Sequence, residues 1–404
     1  MKKILSDMGI LKVALNDRWD WFLCTGLMVL TGGILAIMLN GCTGKAEPFQ
    51  IGMVSTLTGS SSTSGVHARN AVILAVEQIN RSGGIKGRSV ELIIKDDKGN
   101  PDEALRVDTE LVEEGVVAII GHHLSTLSIK TVPLMNEKNV LMIATGTTTS
   151  ELTGLDDNFI RLMIPDDRRA PLMADMAYNR LKVKTMAVVY DLSNPNYTVS
   201  LSRHFKKGYE KQGGKISALI AFNSQEKFSA LDITGKIMNS DAEGVLLITN
   251  AIHGALICQH LRKNESEVKI TASAWTFPEP DFIRNGGRAV EGITCLVELN
   301  EESTSESFLQ FKEQYRDRFE EDVSINAQIG YEVAQVLFFA LSKTDDSGKL
   351  KETILKQRVF RGVVSDIIID KFGDPFRTLY IQEIRNGKIR IIGKIEPSLA
   401  LGEK

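Results

Sequence analysis

The chain has 404 residues, 43% hydrophobic and 25% charged, an ordinary globular composition that is long enough for two compact domains. Its formal net charge of −3 gives no electrostatic footing for nucleic acid or for an anionic lipid surface. Catalytic and nucleotide signatures of the forms G-x-x-x-x-G-K-[ST], H-E-x-x-H, G-x-S-x-G and paired C-x-x-C are absent, which argues against an enzyme. His122-His123 invites a metal reading, but adjacent residues at a strand end point apart and no third ligand is spaced nearby, so no cofactor or metal is expected.

Lys2, Lys3, Lys12 and Arg18 precede an uncharged apolar run from Trp21 to Leu39, which ends in Leu39-Asn40-Gly41-Cys42. A basic flank, an apolar core and small residues before a cut point make a secretion signal. The Leu-x-Gly-Cys ending resembles the bacterial lipobox, which implies a signal segment over 1–41, lipid on Cys42 and an anchor linker over 42–48. The alternative is an uncleaved spanning anchor, since the run is nearly long enough to cross a bilayer. Either way the body lies outside the cytoplasm. Cys24 leaves with a cleaved signal, and Cys258 and Cys295, one in a helical pattern and one in a strand-like pattern, are expected as two buried thiols.

From Pro48 onward, strand and helix patterns alternate. Ile51 to Leu57 is strand-like, Gly65 to Ile79 carries an apolar helical face, Val90 to Ile94 is the next strand, and Pro101 opens the next helix. Such alternation implies parallel pairing through right-handed crossovers, hence an α/β fold. Val116 to Ile120 and Val140 to Ala144 then read as buried strands around a helix that starts near Ser125. Each is followed at its carboxyl end by a small hydroxylated loop, Ser125-Thr126 after the first and Thr145 to Ser150 after the second. Ligands bind at that edge of an open α/β sheet, and backbone N–H groups at a helix start suit a carboxylate. The same residues also read as local caps, with Ser125 as an N-cap and Thr148 with Glu151 as a capping box.

These pieces, in order, resemble the type I periplasmic substrate-binding proteins of the leucine/isoleucine/valine-binding group. The resemblance rests on Ile51-Gly52 to Leu57-Thr58-Gly59, Ala75 to Asn80, Gly83-Gly84-Ile85-Lys86-Gly87-Arg88, Asp96-Asp97, Ile120-Gly121-His122, and Met142-Ile143 through Thr148 to Glu151-Leu152-Thr153. It implies two Rossmann-like lobes with parallel central sheets joined by a three-crossing hinge. Lobe 1 is expected over 49–165 and 276–364, and lobe 2 over 166–275 and 365–404. By position, Ser125 would donate its hydroxyl to a ligand carboxylate. Gly146 and Thr148, with Thr147 between them, would surround the ligand's α-carbon. Two family features are missing: Ser64 stands near the place of a ligand-covering Tyr, and Gly99 and Leu124 stand near those of a disulfide.

In the second half, Pro165-Asp166-Asp167 resembles the first crossing between lobes, the Trp275 region the second, and Ser365 to Asp370 the third. Tyr197 matches an aromatic that closes over the ligand, its alternative being a Tyr packed at a helix start. Ile252 falls where the family places an acidic residue for the ligand's ammonium; either Glu279 substitutes or the ligand lacks an ammonium. Trp275 reads equally as cleft wall or core. The resemblance implies a small-molecule receptor of an ABC importer, with a membrane permease as partner. A receptor that uses the same closure to signal is the alternative. The expected ligand is a small carboxylate with an apolar or aromatic body, with branched-chain amino acids next.

Overall fold

The computed structural model describes residues 47–59, 61–277 and 279–397, so the signal segment, Cys24 and Cys42 lie outside them. Among the described residues no helix is long and apolar enough to cross a membrane.

The first sheet is built from β1 (Phe49–Ser55), β2 (Val90–Asp96), β3 (Ala118–Ile120), β4 (Leu141–Ala144) and β5 (Phe159–Arg161), with helices α1 (Ser62–Arg81), α2 (Pro101–Glu113) and α3 (Ser125–Lys138) in the connections. Its order is β2-β1-β3-β4-β5 and every pairing is parallel. The central strands β3 and β4 are buried throughout, as strands covered by helices on both faces must be. α2 starts cleanly because Asn100 accepts from the N–H groups of Asp102 and Glu103, with Pro101 behind it. By contrast, α3 has Leu124 at its N-cap and no side chain of its own to cap it.

The chain then crosses into a second sheet. α4 (Asp166–Asp175), β6 (Thr185–Asp191), α5 (Pro195–Lys211), β7 (Lys215–Phe222), α6 (Ala230–Met238), β8 (Gly244–Ile248), α7 (Ala251–Lys263), β9 (Lys269–Ala272), α8 (Pro280–Gly286) and β10 (Thr294–Val297) follow in turn. The chain returns for α9 (Glu306–Phe319), α10 (Ile325–Lys343), α11 (Leu350–Gln357) and a small antiparallel sheet of β11 (Val359–Arg361), β12 (Asp366–Ile369) and β13 (Pro375–Phe376). β14 (Leu379–Arg385) and β15 (Lys388–Ile395) complete the second sheet, ordered β15-β14-β10-β9-β8-β6-β7. Its strands run parallel from β7 to β10, while β14 and β15 are antiparallel.

Two expected lobe boundaries are corrected. The return to lobe 1 does not occur at residue 276: Thr294 and Cys295 pair with Thr271 and Ala272 in the lobe 2 sheet, so the crossing follows Val297. Nor is the third crossing at 365. Among the described residues β12 pairs only with β11 and β13, and Arg161 N donates to Gly373 O, which ties that small sheet to β5 and moves the crossing to Arg377-Thr378. The crossings are knit together by buried groups. Glu298 accepts from Ile164 N at 2.9 Å and pairs with Arg169, while Arg377 pairs with Glu332 at 2.8 Å and reaches Leu162 O. Cys258 and Cys295 are free and buried.

Candidate ligand-binding site

Between the two sheets lies a small cavity of about 30 Å³, walled by His123, Gly146, Thr148 and Asn326 from lobe 1, Asn194, Tyr197, Ala274 and Trp275 from lobe 2, and Met163 and Arg169 at the first crossing. Both loops that close off β3 and β4 contribute to it, because in a parallel sheet all the carboxyl ends face the same way. Tyr197 and Trp275 meet edge to face, 6.0 Å between centroids at 79°, and form the apolar wall. Arg169 is the one charged side chain in the lining; its partners are Glu298, the Leu296 carbonyl at 2.8 Å and the Ile164 carbonyl.

The loop over β4 is held from below. Ser125 Oγ accepts from Thr148 N at 3.2 Å and Thr149 N at 3.3 Å, and Thr147 Oγ1 bonds to Ser128 Oγ at 2.6 Å. This leaves Thr148 Oγ1 buried without a well-formed hydrogen bond. Behind it lies Asp166, fully buried, whose carboxyl is pushed up to about 7 by burial against the weaker opposing pull of the Ser200 and Thr148 hydroxyls. His122 points away from the cavity and bridges Asp97 at 2.9 Å and Asp108 at 3.0 Å. Burial opposes its charge, but Asp108 and then Asp97 prevail and raise it to about 10. Among the described residues no cluster of His, Cys, Asp and Glu is arranged to hold a metal ion.

Two sets of contacts clamp the lobes on either side of the cavity. On one side Asn194 Oδ1 accepts from Thr126 N and Oγ1 at 3.2 and 3.0 Å, Ser150 bonds Ser200, and Asn196 donates to Glu151. Asn194 is the N-cap of α5 yet does not cap it; its amide oxygen caps α3 of the opposite lobe instead. On the other side Glu279 accepts from Ser64 at 3.2 Å and from Asn326, and lies 3.3 Å from His67, while Thr63 donates to Asp281.

The sequence over residues 48–388 matches the family model described as "Periplasmic binding protein". The chain belongs to the periplasmic binding protein family. A leucine-, isoleucine-, valine-, threonine- and alanine-binding protein of Pseudomonas aeruginosa is 30% identical over 188 residues, a match that spans 46% of this chain and 50% of that protein. The branched-chain amino acid transporter substrate-binding protein of Streptococcus pneumoniae, solved with isoleucine, superposes with a TM-score of 0.79 at 21% identity, covering 87% of this chain and 100% of the other. A solute-binding protein of R. palustris, solved with benzoate, gives 0.79 at 16% identity over 87% and 97%. Membership of this family implies an extracytoplasmic location.

In this periplasmic binding protein the cavity gathers Gly146, Thr148, Tyr197 and Trp275 from the expected site residues. Ser125 and Thr147 stand apart from the lining: their hydroxyls are spent on shaping the loop that presents Thr148. Ser125 is not the N-cap of α3, and the Thr148–Glu151 capping box does not form, because Thr149 caps that short turn. Ile252 is 40% exposed and lines a neighbouring space with Asn250 and Glu279, not the cavity. Ser64, in place of the covering Tyr, bonds Glu279 across the cleft. Sequence reasoning missed His123, Met163, Arg169, Asn194, Ala274 and Asn326. One signal was available for Asn194, an Asn-Pro helix start whose cap has a competing use.

Proposed function

We propose that this protein is the extracytoplasmic receptor of an ABC importer, tethered by lipid at Cys42, which closes its two lobes on a small carboxylate and delivers it to a membrane permease. The observation that carries the reading is the cavity itself. It is walled from both lobes, and Thr148 offers it a buried hydroxyl with no well-formed hydrogen bond among the described residues. No acidic side chain is in the lining, and its one cation, Arg169, is already paired with Glu298, which favours a ligand whose remainder is apolar or aromatic over one needing an ammonium partner. The amino acids named for the Pseudomonas relative and the benzoate of the R. palustris structure mark the two ends of that ligand range.

A thermal-shift screen of the purified chain tests this with amino acids in one arm and amine-free acids in the other. A ligand at a hundredfold its dissociation constant stabilises by roughly 2.7 kcal/mol. Thr148→Val is expected to weaken a hit by about 1 to 3 kcal/mol. Unchanged affinity in that variant removes Thr148 from the site, and no shift from any acid removes the reading.

A further inference from the structure

His123 stands out among the lining residues because no hydrogen bond among the described residues engages its ring. It is buried to 6% exposure and Nδ1 has no hydrogen-bond partner. Its neighbour His122 takes Asp97 and Asp108. The opposite loop is shaped around the imidazole: a Cβ on Gly146 would come within 2.3 Å of His123 Nδ1 and 2.5 Å of its carbonyl oxygen, so only glycine lets the ring sit there. Burial holds the ring below its ordinary range, outweighing the pull of Glu279 and Asp97, so it faces the cavity as a neutral group able to donate at one nitrogen and accept at the other.

Two amides beside it are half spent. Asn326 commits its nitrogen to Glu279, and its oxygen has no partner among the described residues. Asn194 commits its oxygen to Thr126, and its nitrogen likewise has none. A purely hydrocarbon ligand body would leave these donors and acceptors dry and unmatched, a penalty a matching polar group removes.

We propose that the ligand carries, besides its carboxylate, an uncharged hydrogen-bonding group, a hydroxyl or an amide, which is read by His123 together with Asn326 and Asn194. This rests on the reading of the cleft as a carboxylate site and narrows it to hydroxylated or amidated small acids.

Matched pairs that differ at one group provide the test: benzoate against 4-hydroxybenzoate, valine against threonine, and leucine against asparagine, titrated calorimetrically into the purified chain. The polar member of at least one pair is expected to bind about tenfold tighter or more. His123→Leu is expected to collapse that ratio toward one, and His123→Gln, which keeps a hydrogen-bonding group, to retain part of it. The parent protein's ratio and the His123→Gln variant decide the matter if His123→Leu does not fold. Equal affinities within every pair, or a ratio that survives in His123→Leu, overturn the inference, while binding that still depends on Thr148 leaves the carboxylate site standing. Failure of every acid to bind overturns both.

Discussion

Replacing Asp166 with asparagine tests the electrostatics beneath the cleft. Asp166 opens α4, is fully buried, and has no well-formed hydrogen bond to either carboxylate oxygen. Burial raises it from 3.8 to about 7; the hydroxyls of Ser200 and Thr148 and the charges of Arg161 and Arg169 offset only part of that cost. A carboxyl with a higher pKa folded than unfolded holds its proton more tightly in the folded state. Its contribution to stability is therefore complete below 3.8 and is lost as pH rises through about 7. A rise of roughly 3 pH units at 1.36 kcal/mol each corresponds to about 4 kcal/mol lost by pH 8. Asparagine keeps the shape and cannot ionise, and hydroxyls nearby can accept from its amide. Urea unfolding of parent and Asp166→Asn from about pH 4.5 to 8 isolates the effect, because the other carboxylates cancel in the difference. The variant is expected to gain on the parent steadily with pH, by roughly 2 to 4 kcal/mol at the upper end. A difference that does not change with pH would refute the reasoning, since Asp166 would then be solvated or fully paired.

The second clamp carries its own pH dependence. His67 faces Glu279, Glu321 and Asp281, and although burial opposes its charge, Glu279 foremost holds it above its ordinary 6.5. That contribution is full below 6.5 and fades as pH rises through the raised value, so ligand affinity should fall from pH 6 to 9 in the parent and lose that slope in Glu279→Gln; identical slopes would dismiss the contact as its source. Gly146→Ala is expected to cost about 1 to 3 kcal/mol of stability by thermal unfolding, because the new Cβ meets a backbone carbonyl as well as the His123 ring. A variant as stable as the parent would mean that the loop yields freely. Asn194→Ala removes the cross-lobe cap of α3 and should weaken ligand binding by about 1 kcal/mol, with little effect on the melting of either lobe; an unaltered affinity would show that the cap does not help closure.

Much of the fold was legible because it is written in local periodicity. The strands around Ile119 and Ile143, the helices that begin at Pro101 and Ser125, and the repeat of that alternation after Pro165 all follow from burial patterns a few residues long. The lobe boundaries were not legible in the same way. Trp275-Thr276-Phe277-Pro278 punctuates the chain as a crossing would, but β10 is committed to lobe 2 by pairing with both β9 and β14, the latter more than eighty residues further on. The site divides along the same line. Gly146 and Thr148 belong to loops that one lobe shapes by itself, so residue type and position found them. Asn326 and Asn194 matter only because the lobes meet, and their partners Glu279 and Thr126 are 47 and 68 residues away in sequence. His123 was set aside with His122 as an unconvincing metal pair, when the two rings have separate fates: one bridges carboxylates, the other faces the cavity.

The clamps and the cavity share residues, and this makes ligand recognition and closure a single event. Asn194 and Asn326 each hold the opposite lobe with one end of the amide while the rest of the side chain lines the cavity. Closing the lobes forms these bonds and covers the Tyr197–Trp275 wall, but it also seals in Thr148 Oγ1 and His123 Nδ1 without a well-formed hydrogen bond among the described residues. Each unmatched polar atom costs about 1 to 3 kcal/mol, comparable to what one or two cross-lobe hydrogen bonds return. The balance between open and closed forms is thereby left close enough for a small molecule to tip. A ligand that satisfies both atoms removes the opposing cost only in the closed form, so its differential affinity for that form, and not its affinity as such, drives closure. An acid that reaches Thr148 but offers nothing to His123 would occupy the cleft yet close it less completely. Small-angle scattering on benzoate and 4-hydroxybenzoate complexes at saturation can distinguish those two states.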